Sequence, residues 1–481
     1  MSMKRLILIV VLGGFVSQAF GQQDSTNVYK KRVLETTEVD FLTSYYTQDG
    51  DNASVTGGIG TEKLTDLTPT IIISLPLNAD DVLTVDAGIS TYTSASSSNL
   101  DPFDLSGASE NDDDDDDDDD KFKPNNVIGS PWVASSGASK QDTWGSINVG
   151  YAHSSDNRNS IWSANVSFAT EYDYTSIGFG GGYTKLFNEK NTEVGIKANV
   201  FLDSWSPKYP TELDSYLEAN GDLNQGFFQD VDVLNQNGVV STDWSPVTGF
   251  ELINDKSRNS YSVSLSFSQI LSKRAQMSLF FDIVQQEGWL ANPMQRVYFS
   301  DIDNYYIGNP ASINNYTSSS NRDVFQLADD IERLPNSRFK IPLGLRFNYY
   351  INEVFSLRTY YRYYFDDWGI NSHTANIEVP IKISQKFTLY PSYRFYNQTA
   401  ADYFAPYEEH VSTSEFYTSD YDLSKFSANQ YGFGVSYTDI FSKFHIWKFG
   451  LKNIDFKYNN YQRNTGLKAN IFALAFKFVM D

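Results

Sequence analysis

The sequence predicts an all-β fold: a transmembrane antiparallel β-barrel of about 16 strands (14–16), with short periplasmic turns and long extracellular loops. Three observations predict it. Aromatic residues make up 15% of the chain, with 32 Tyr and 34 Phe, yet the mean hydropathy is −0.40. Segment after segment alternates apolar and polar residues with period two. The connections between those segments are tight and long by turns.

The first residues read as an export signal, residues 1–21. Lys4 and Arg5 give a basic start, Leu6 to Phe15 an apolar run, and Ala19-Phe20-Gly21 a cleavage site. The apolar run is too short to cross a bilayer as a helix. Cleavage is expected before Gln22, leaving residues 22–36 as a periplasmic N-terminal segment and residues 37–481 as one barrel domain.

The clearest strands set the pattern. From Phe339 to Ile351, Phe339, Ile341, Leu343, Leu345, Phe347, Tyr349 and Ile351 share one face, while Lys340, Gly344, Arg346 and Asn348 share the other. The next run, Phe355 to Asp366, puts Leu357, Tyr361, Tyr363 and Phe365 opposite Ser356, Arg358, Tyr360 and Arg362. Such alternation is that of a strand with one lipid face and one polar face. In order, strands are expected near 38–48, 67–77, 82–94, 143–153, 160–174, 177–187, 192–205 and 260–271. They continue near 276–287, 338–352, 354–366, 375–384, 387–403, 428–439, 447–462 and 467–481. Many are long enough for a tilted membrane strand.

Tight turns follow the even-numbered strands, at Asn78-Ala-Asp-Asp, Asn188-Glu-Lys-Asn and Ser272-Lys-Arg-Ala among others. The long connections, 95–142, 206–259, 288–337 and 404–427, all follow odd-numbered strands. This parity closes only if the Gly-rich stretch Val55–Leu64 belongs to an outer loop. Tyr and Trp near strand ends (Tyr45, Tyr46, Trp144, Tyr172, Tyr174, Trp205, Trp289, Tyr363, Trp368, Tyr403 and Trp447) are expected to anchor the barrel at the membrane interface.

The chain has no Cys and a net charge of −23, nine units of it from one aspartate run. No disulfide framework or thiolate metal site is available, and so acidic a chain is not a nucleic-acid binder. The run is Asp112, Asp113, Asp114, Asp115, Asp116, Asp117, Asp118, Asp119 and Asp120. It lacks the spaced ligands and intervening turn of an ordered Ca²⁺ site. Its expected state is a solvated, self-repelling segment that accumulates cations loosely. Beyond such loosely held Ca²⁺, no cofactor is expected.

Four segments carry a resemblance: Val55-Thr-Gly-Gly-Ile-Gly-Thr-Glu, Tyr92-Thr-Ser-Ala-Ser-Ser, Ser136-Gly-Ala-Ser-Lys-Gln-Asp and Glu171-Tyr-Asp-Tyr-Thr-Ser. Together they resemble an uncharacterised family of Gram-negative outer-membrane barrels, in which one domain of unknown function covers nearly the whole mature chain. The resemblance implies fold and location. It also implies a gene neighbourhood with a periplasmic flavin transferase, a small lipoprotein and thioredoxin-like proteins. It brings no catalytic residues.

The polar face carries the functional signal. Lys340, Arg346, Arg358, Arg362, Lys382, Arg394, Lys448 and Lys457 are expected on the lumen side in the C-terminal half, with Glu171, Asp173, Asp282 and Glu378 supplying opposite charge. Two readings follow: a cationic pore wall, or a lattice of charge pairs that stiffens the lumen. The first makes the chain a channel or transport protein for small polar or charged solutes. The second makes it a plugged, non-enzymatic barrel in surface interaction or assembly, with periplasmic or lipoprotein partners. Either form contacts outer-membrane lipid and the outer-membrane assembly machinery. A barrel-embedded hydrolase is the third reading. It is disfavoured because only His153, His373, His410 and His445 are present and no Gly-x-Ser-x-Gly elbow occurs.

Overall fold

The computed structural model describes residues 31–93, 130–132, 142–247, 249–321 and 323–480. The export signal, the nine aspartates and the Ser136-Gly-Ala-Ser segment lie outside the described residues.

Sixteen strands form one antiparallel sheet. They are β1 (Glu38–Asp49), β2 (Leu64–Pro76), β3 (Asp81–Thr93), β4 (Asp142–Ser154), β5 (Ser160–Thr170), β6 (Tyr174–Phe187), β7 (Thr192–Trp205) and β8 (Lys256–Ser272). They continue as β9 (Ala275–Gly288), β10 (Ser337–Tyr350), β11 (Ser356–Asp366), β12 (Asn371–Glu378), β13 (Phe387–Gln398), β14 (Phe426–Thr438), β15 (Phe449–Arg463) and β16 (Lys468–Met480). Two short pieces extend them: Ile381–Lys382 resumes β12 beyond Pro380, and His445–Ile446 folds back on the start of β15. Each strand pairs with its sequence neighbours. The seam is closed by β1 against β16, from Glu38 opposite Val479 to Asp49 opposite Lys468.

Closure satisfies every ladder amide without an exposed edge, which hydrocarbon demands because it offers no hydrogen bonds. The side chains agree. All sixteen strands carry at least one exposed large apolar side chain, among them Ile71, Val149, Val166, Phe179, Leu265, Leu345, Ile377, Phe433 and Phe472. An apolar band around a whole molecule is insoluble in water and matched to lipid. At the seam, Phe41 meets Phe476 at 6.5 Å and Tyr45 meets Phe472 at 6.4 Å between ring centroids.

The connections sort by parity. At one end run 77–80, 155–159, 188–191, 273–274, 351–355, 383–386 and 439–448; at the other run 50–63, 94–141, 171–173, 206–255, 289–336, 367–370, 399–425 and 464–467. The first is the turn end and the second the loop end. Val55 to Lys63 falls in the first loop, with a single 3-10 turn at Ser54–Thr56, so the parity closes.

The expected interfacial aromatic belt is only partly present. Trp205 and Trp368 are 8% and 3% exposed, and Trp289 packs beside Leu290 and Trp368, because the loops fold over the inside of the mouth. Tyr46 also points inward, where its hydroxyl donates to Gln48. Tyr45 (44%) and Trp447 (96%) do remain on the outside.

The two faces make a paired prediction. Leu345 is 38% exposed on the lipid face of β10, and Leu345→Arg should block assembly at a cost of about 2–4 kcal/mol. Arg346→Leu, one residue on, should assemble normally. Heat-modifiable gel mobility of the refolded variants checks both; equal assembly of the two would invert the face assignment.

Candidate functional site

Period-two alternation decides what lines the lumen. On β10 to β14 the even-numbered residues point inward, and on β15 the odd-numbered ones do. The inward set on this side is basic and aromatic. Arg346 lies over the Phe280 and Tyr360 rings at 5.4 and 5.9 Å. Arg362 lies over Tyr364 at 5.9 Å. Arg358 donates to Glu378 at 2.9 Å and lies over Tyr390 at 5.6 Å. Lys457 reaches the same carboxylate at 3.7 Å and the same ring at 5.8 Å. Guanidinium on an aromatic face keeps its N–H edges free for an anion, and the ring quadrupole helps hold it in place.

The wall of β4 to β8 is mostly small and polar. Asn148, Gly150, Ser163, Asn165, Ser167, Gly178, Gly180 and Gly182 alternate inward there, followed by Lys197 and Asn199 on β7 and by Ser260, Ser262, Ser264, Ser266 and Ser268 on β8. Gly180 makes room for two amides: a Cβ there would stand 2.3 Å from the Asn165 Oδ1 and 2.6 Å from the Asn199 Oδ1, so both would have to turn aside. Carboxylates collect on the first strands, where Lys477 binds Glu38 at 2.5 Å and Ser90 donates to Asp66 at 2.6 Å.

Two cavities stand along the basic wall. The lower, of about 500 Å³, is lined by Leu42, Ser44, Thr68, Thr70, Arg358, Tyr390, Asp455, Lys457, Ala473 and Ala475. The upper, of about 280 Å³, is lined by Arg394, Tyr396, Gln398, Asp422, Gln430, Tyr461 and Arg463. Both draw on β13 and β15, one toward the turn end and one toward the loop end.

Above the lumen the loops build a cap with its own core. Tyr209, Leu213, Phe228, Val233, Trp244, Tyr298, Ile307, Phe325, Leu327, Ala328 and Ile331 pack together, drawn from 206–255 and 289–336. Short strands knit these loops: Val233–Asn235, Tyr305–Gly308 and Val324–Gln326 form one sheet, and Arg296–Val297 pairs with Asp330–Ile331. Helix α1 (Thr211–Glu218) follows Pro210, carries Glu212 and Asp214 in its first turn where the dipole favours them, and ends before Asn220 and Gly221, both at positive φ.

Glu212 and Arg296 form a fork of two bonds, Nε to Oε1 at 2.7 Å and Nη2 to Oε2 at 2.8 Å, with both side chains 0% exposed. The third guanidinium nitrogen, Nη1, donates to the Val55 carbonyl at 3.0 Å. One arginine thus ties three loops together. The cap is also stitched to the rim. Ser130 Oγ donates to the Asn321 carbonyl at 2.9 Å, Ser300 N to His410 O at 2.8 Å, Arg463 Nη1 to Asp422 at 2.6 Å and Asn52 Nδ2 to Thr465 O at 2.8 Å.

Several cap carboxyls are forced toward the neutral form by loss of water. Burial raises Glu62 and Asp329 to about 7, Glu332 to about 8 and Asp420 to about 6. Burial also lowers His410, whose Nε2 meets the Thr418 carbonyl at 3.0 Å.

The residues singled out from sequence divide by position. Arg346, Arg358, Arg362, Arg394, Glu378 and Lys457 lie along the wall just described, and Lys340 shares the inner face of β10. Asp282 is inward on β9 opposite Ser264. Lys382 sits at the turn end, on the short resumption of β12. Glu171 and Asp173 are not in a strand. β5 stops at Thr170, where Glu171 N donates to Tyr174 O at 2.8 Å in a tight hairpin. Their carboxylates serve the rim instead, Asp173 accepting from Trp205 Nε1 at 3.0 Å and Glu171 from the Tyr92 hydroxyl. Lys448 lies in the turn 439–448 rather than on a strand.

The four histidines occupy four separate places. His153 pairs with Asp81 at 2.6 Å at the turn end, and His373 meets the Tyr361 hydroxyl at 2.6 Å on the lipid face. His410 is inside the cap, and His445 is exposed in a turn. Sequence reasoning missed the cap residues Glu212, Arg296, Asp329 and Glu332. Their signal was weak: loops 206–255 and 289–336 hold Tyr, Phe and Trp at no more than the chain's average of 15%, and Glu212 and Arg296 stand in no periodic pattern.

Two predictions follow from the cap. Arg296→Met leaves Glu212 buried without its partner, a change that costs about 3–5 kcal/mol. Amide exchange in 206–255 and 289–336 should rise steeply while strand amides stay protected; unchanged cap protection would contradict the role of the pair. The second concerns pH. The folded cap holds protons on Glu62, Asp329, Glu332 and Asp420, which unfolded chains release near pH 4. Their contribution is full below that value and is lost as pH rises through about 6 to 8. Intrinsic-rate-corrected exchange should therefore be slower at pH 5 than at pH 9; the reverse order would refute it.

Comparison with known proteins gives the family. No curated protein matches the chain. Among solved structures it is similar to a bacterial polysaccharide outer membrane secretin, at 8% identity and TM-score 0.41, covering 93% of this chain and 98% of that one. It is similar to a Pseudomonas aeruginosa FadL homologue at 9% identity and TM-score 0.37, covering 92% and 90%. It is also similar to the ferric enterobactin receptor PfeA at 9% identity and TM-score 0.40, covering 90% of this chain and 55% of that one. A family model described as protein of unknown function (DUF3570) matches residues 11–471. The chain belongs to that DUF3570 family.

Proposed function

We propose that the chain is a transport barrel of the Gram-negative outer membrane, exported through a cleaved signal and passing small anionic solutes. One observation carries this reading. On β10 to β15 the mid-lumen wall presents Arg346, Arg358, Arg362, Arg394 and Lys457 against only Glu378 and Asp455. Cations on one wall of an aqueous lumen attract anions and repel cations at short range. Sixteen strands leave space for such a lumen. The long-loop end is then the outer face, and the cap is its gate.

A second reading is favoured by one specific feature. The Glu212–Arg296 pair is fully buried, and a pair so enclosed suits a cap that stays shut. The barrel would then act in assembly or surface contact with periplasmic or lipoprotein partners, without catalysis.

Solute entry into liposomes separates the two. Vesicles carrying the wild-type barrel should admit acetate faster than a cation of similar size. Replacing both Arg346 and Arg362 by Gln should reduce that preference about threefold. Entry no faster than into empty vesicles, at pH 5 and at pH 9 alike, would favour the closed barrel.

A further inference from the structure

We propose that the lower lumen cavity is a binding site for a small organic carboxylate with an apolar body. The inference rests on the reading of the lumen as an anion path, and it names the solute class that path selects.

The cavity has two unlike sides. On one, Arg358 and Lys457 flank the Tyr390 ring at 5.6 and 5.8 Å. Glu378 binds both, at 2.9 and 3.7 Å, but it lies behind them: its side chain is 16% exposed, against 53% for Arg358 and 52% for Lys457. The two cations therefore line the cavity, and the Glu378 carboxylate is largely covered. Asp455, on the same lining, accepts from Asn453 Nδ2. A ligand carboxylate can take the open N–H edge of Arg358 as a planar acceptor, with Lys457 as a point charge beside it.

The other side is Leu42, Ala473 and Ala475, with the hydroxyls of Ser44, Thr68 and Thr70 between them. These come from β16, β1 and β2, which continue the wall from β15: Ala473 stands opposite Lys457 and Ala475 opposite Asp455 in the ladder. An inorganic anion satisfies the cations and leaves that apolar side idle. An alkyl or aryl carboxylate uses both sides, its head at Arg358 and Lys457 and its body against Leu42 and the alanines. The volume of about 500 Å³ is that of a pocket for a ligand of this kind.

The test uses the refolded mature protein in nanodiscs, with empty nanodiscs as reference. Hexanoate, hexanamide, acetate and inorganic phosphate are titrated by calorimetry. Hexanoate should bind about tenfold more tightly than each of the other three. Arg358→Gln should lose about tenfold of that affinity, and Ala473→Leu, which fills the cavity and keeps its charge, should lose a similar amount. Equal binding of hexanoate and hexanamide, or of hexanoate and phosphate, would overturn the site. So would full hexanoate affinity in both variants. Hexanoate binding without acetate entry into vesicles sinks the transport reading and leaves the site standing; entry without preferential hexanoate binding does the reverse.

Discussion

The structure depends on one constraint: a backbone amide in hydrocarbon must find its partner within the protein. The chain meets it by pairing β1 with β16 and closing the sheet. Once the sheet is closed, each strand has a lipid face and a lumen face, and period two assigns every side chain to one of them. The basic wall of β10 to β15 follows from that arithmetic. A one-residue slip of β11 would carry Arg358 and Arg362 into lipid and Tyr361 into the lumen. Register and charge pattern therefore support the same fold.

The loops face a different problem. They are too apolar to remain in water, so they bury their aromatics against one another. Water is excluded from Glu212 and Arg296, which makes each dependent on the other. A hydrophobic isostere would close the cap as firmly. A charged pair differs in that losing one partner opens the structure. The neighbouring protonated carboxyls act in the same direction, since Glu332 and Asp329 are comfortable in the core only while neutral. The cap is thus a closed element whose stability is sensitive to charge, set over a lumen whose wall is charged.

The barrel was legible in the sequence because alternation is a local signal. Phe339 to Ile351 shows its two faces without reference to any neighbour. Sixteen strands, their order and the parity of turns and loops could be read in that way. Glu171 and Asp173 were misplaced because the alternation of β5 continues past Thr170 into the hairpin, where the pattern persists but the strand does not. The cap was not legible, because its contacts are non-local: Arg296 meets Glu212 and Val55 across three loops without any periodicity. Trp205 and Trp368 show the same limit. Near a strand end an aromatic suits the membrane interface or a cap equally, and only the fold of the loops decides. The wall itself was partly legible. The cations were assigned to the lumen, but the pairing of Arg358 and Lys457 around Tyr390 required the register of β11, β13 and β15.

The central claim is that the lumen passes anions when the cap is loosened. The reversal potential of single Arg296→Met barrels in a planar bilayer under a KCl gradient tests it most directly. The basic wall predicts a potential displaced toward the chloride equilibrium value. A potential at the potassium side, or no conductance from barrels shown to be folded, would contradict it.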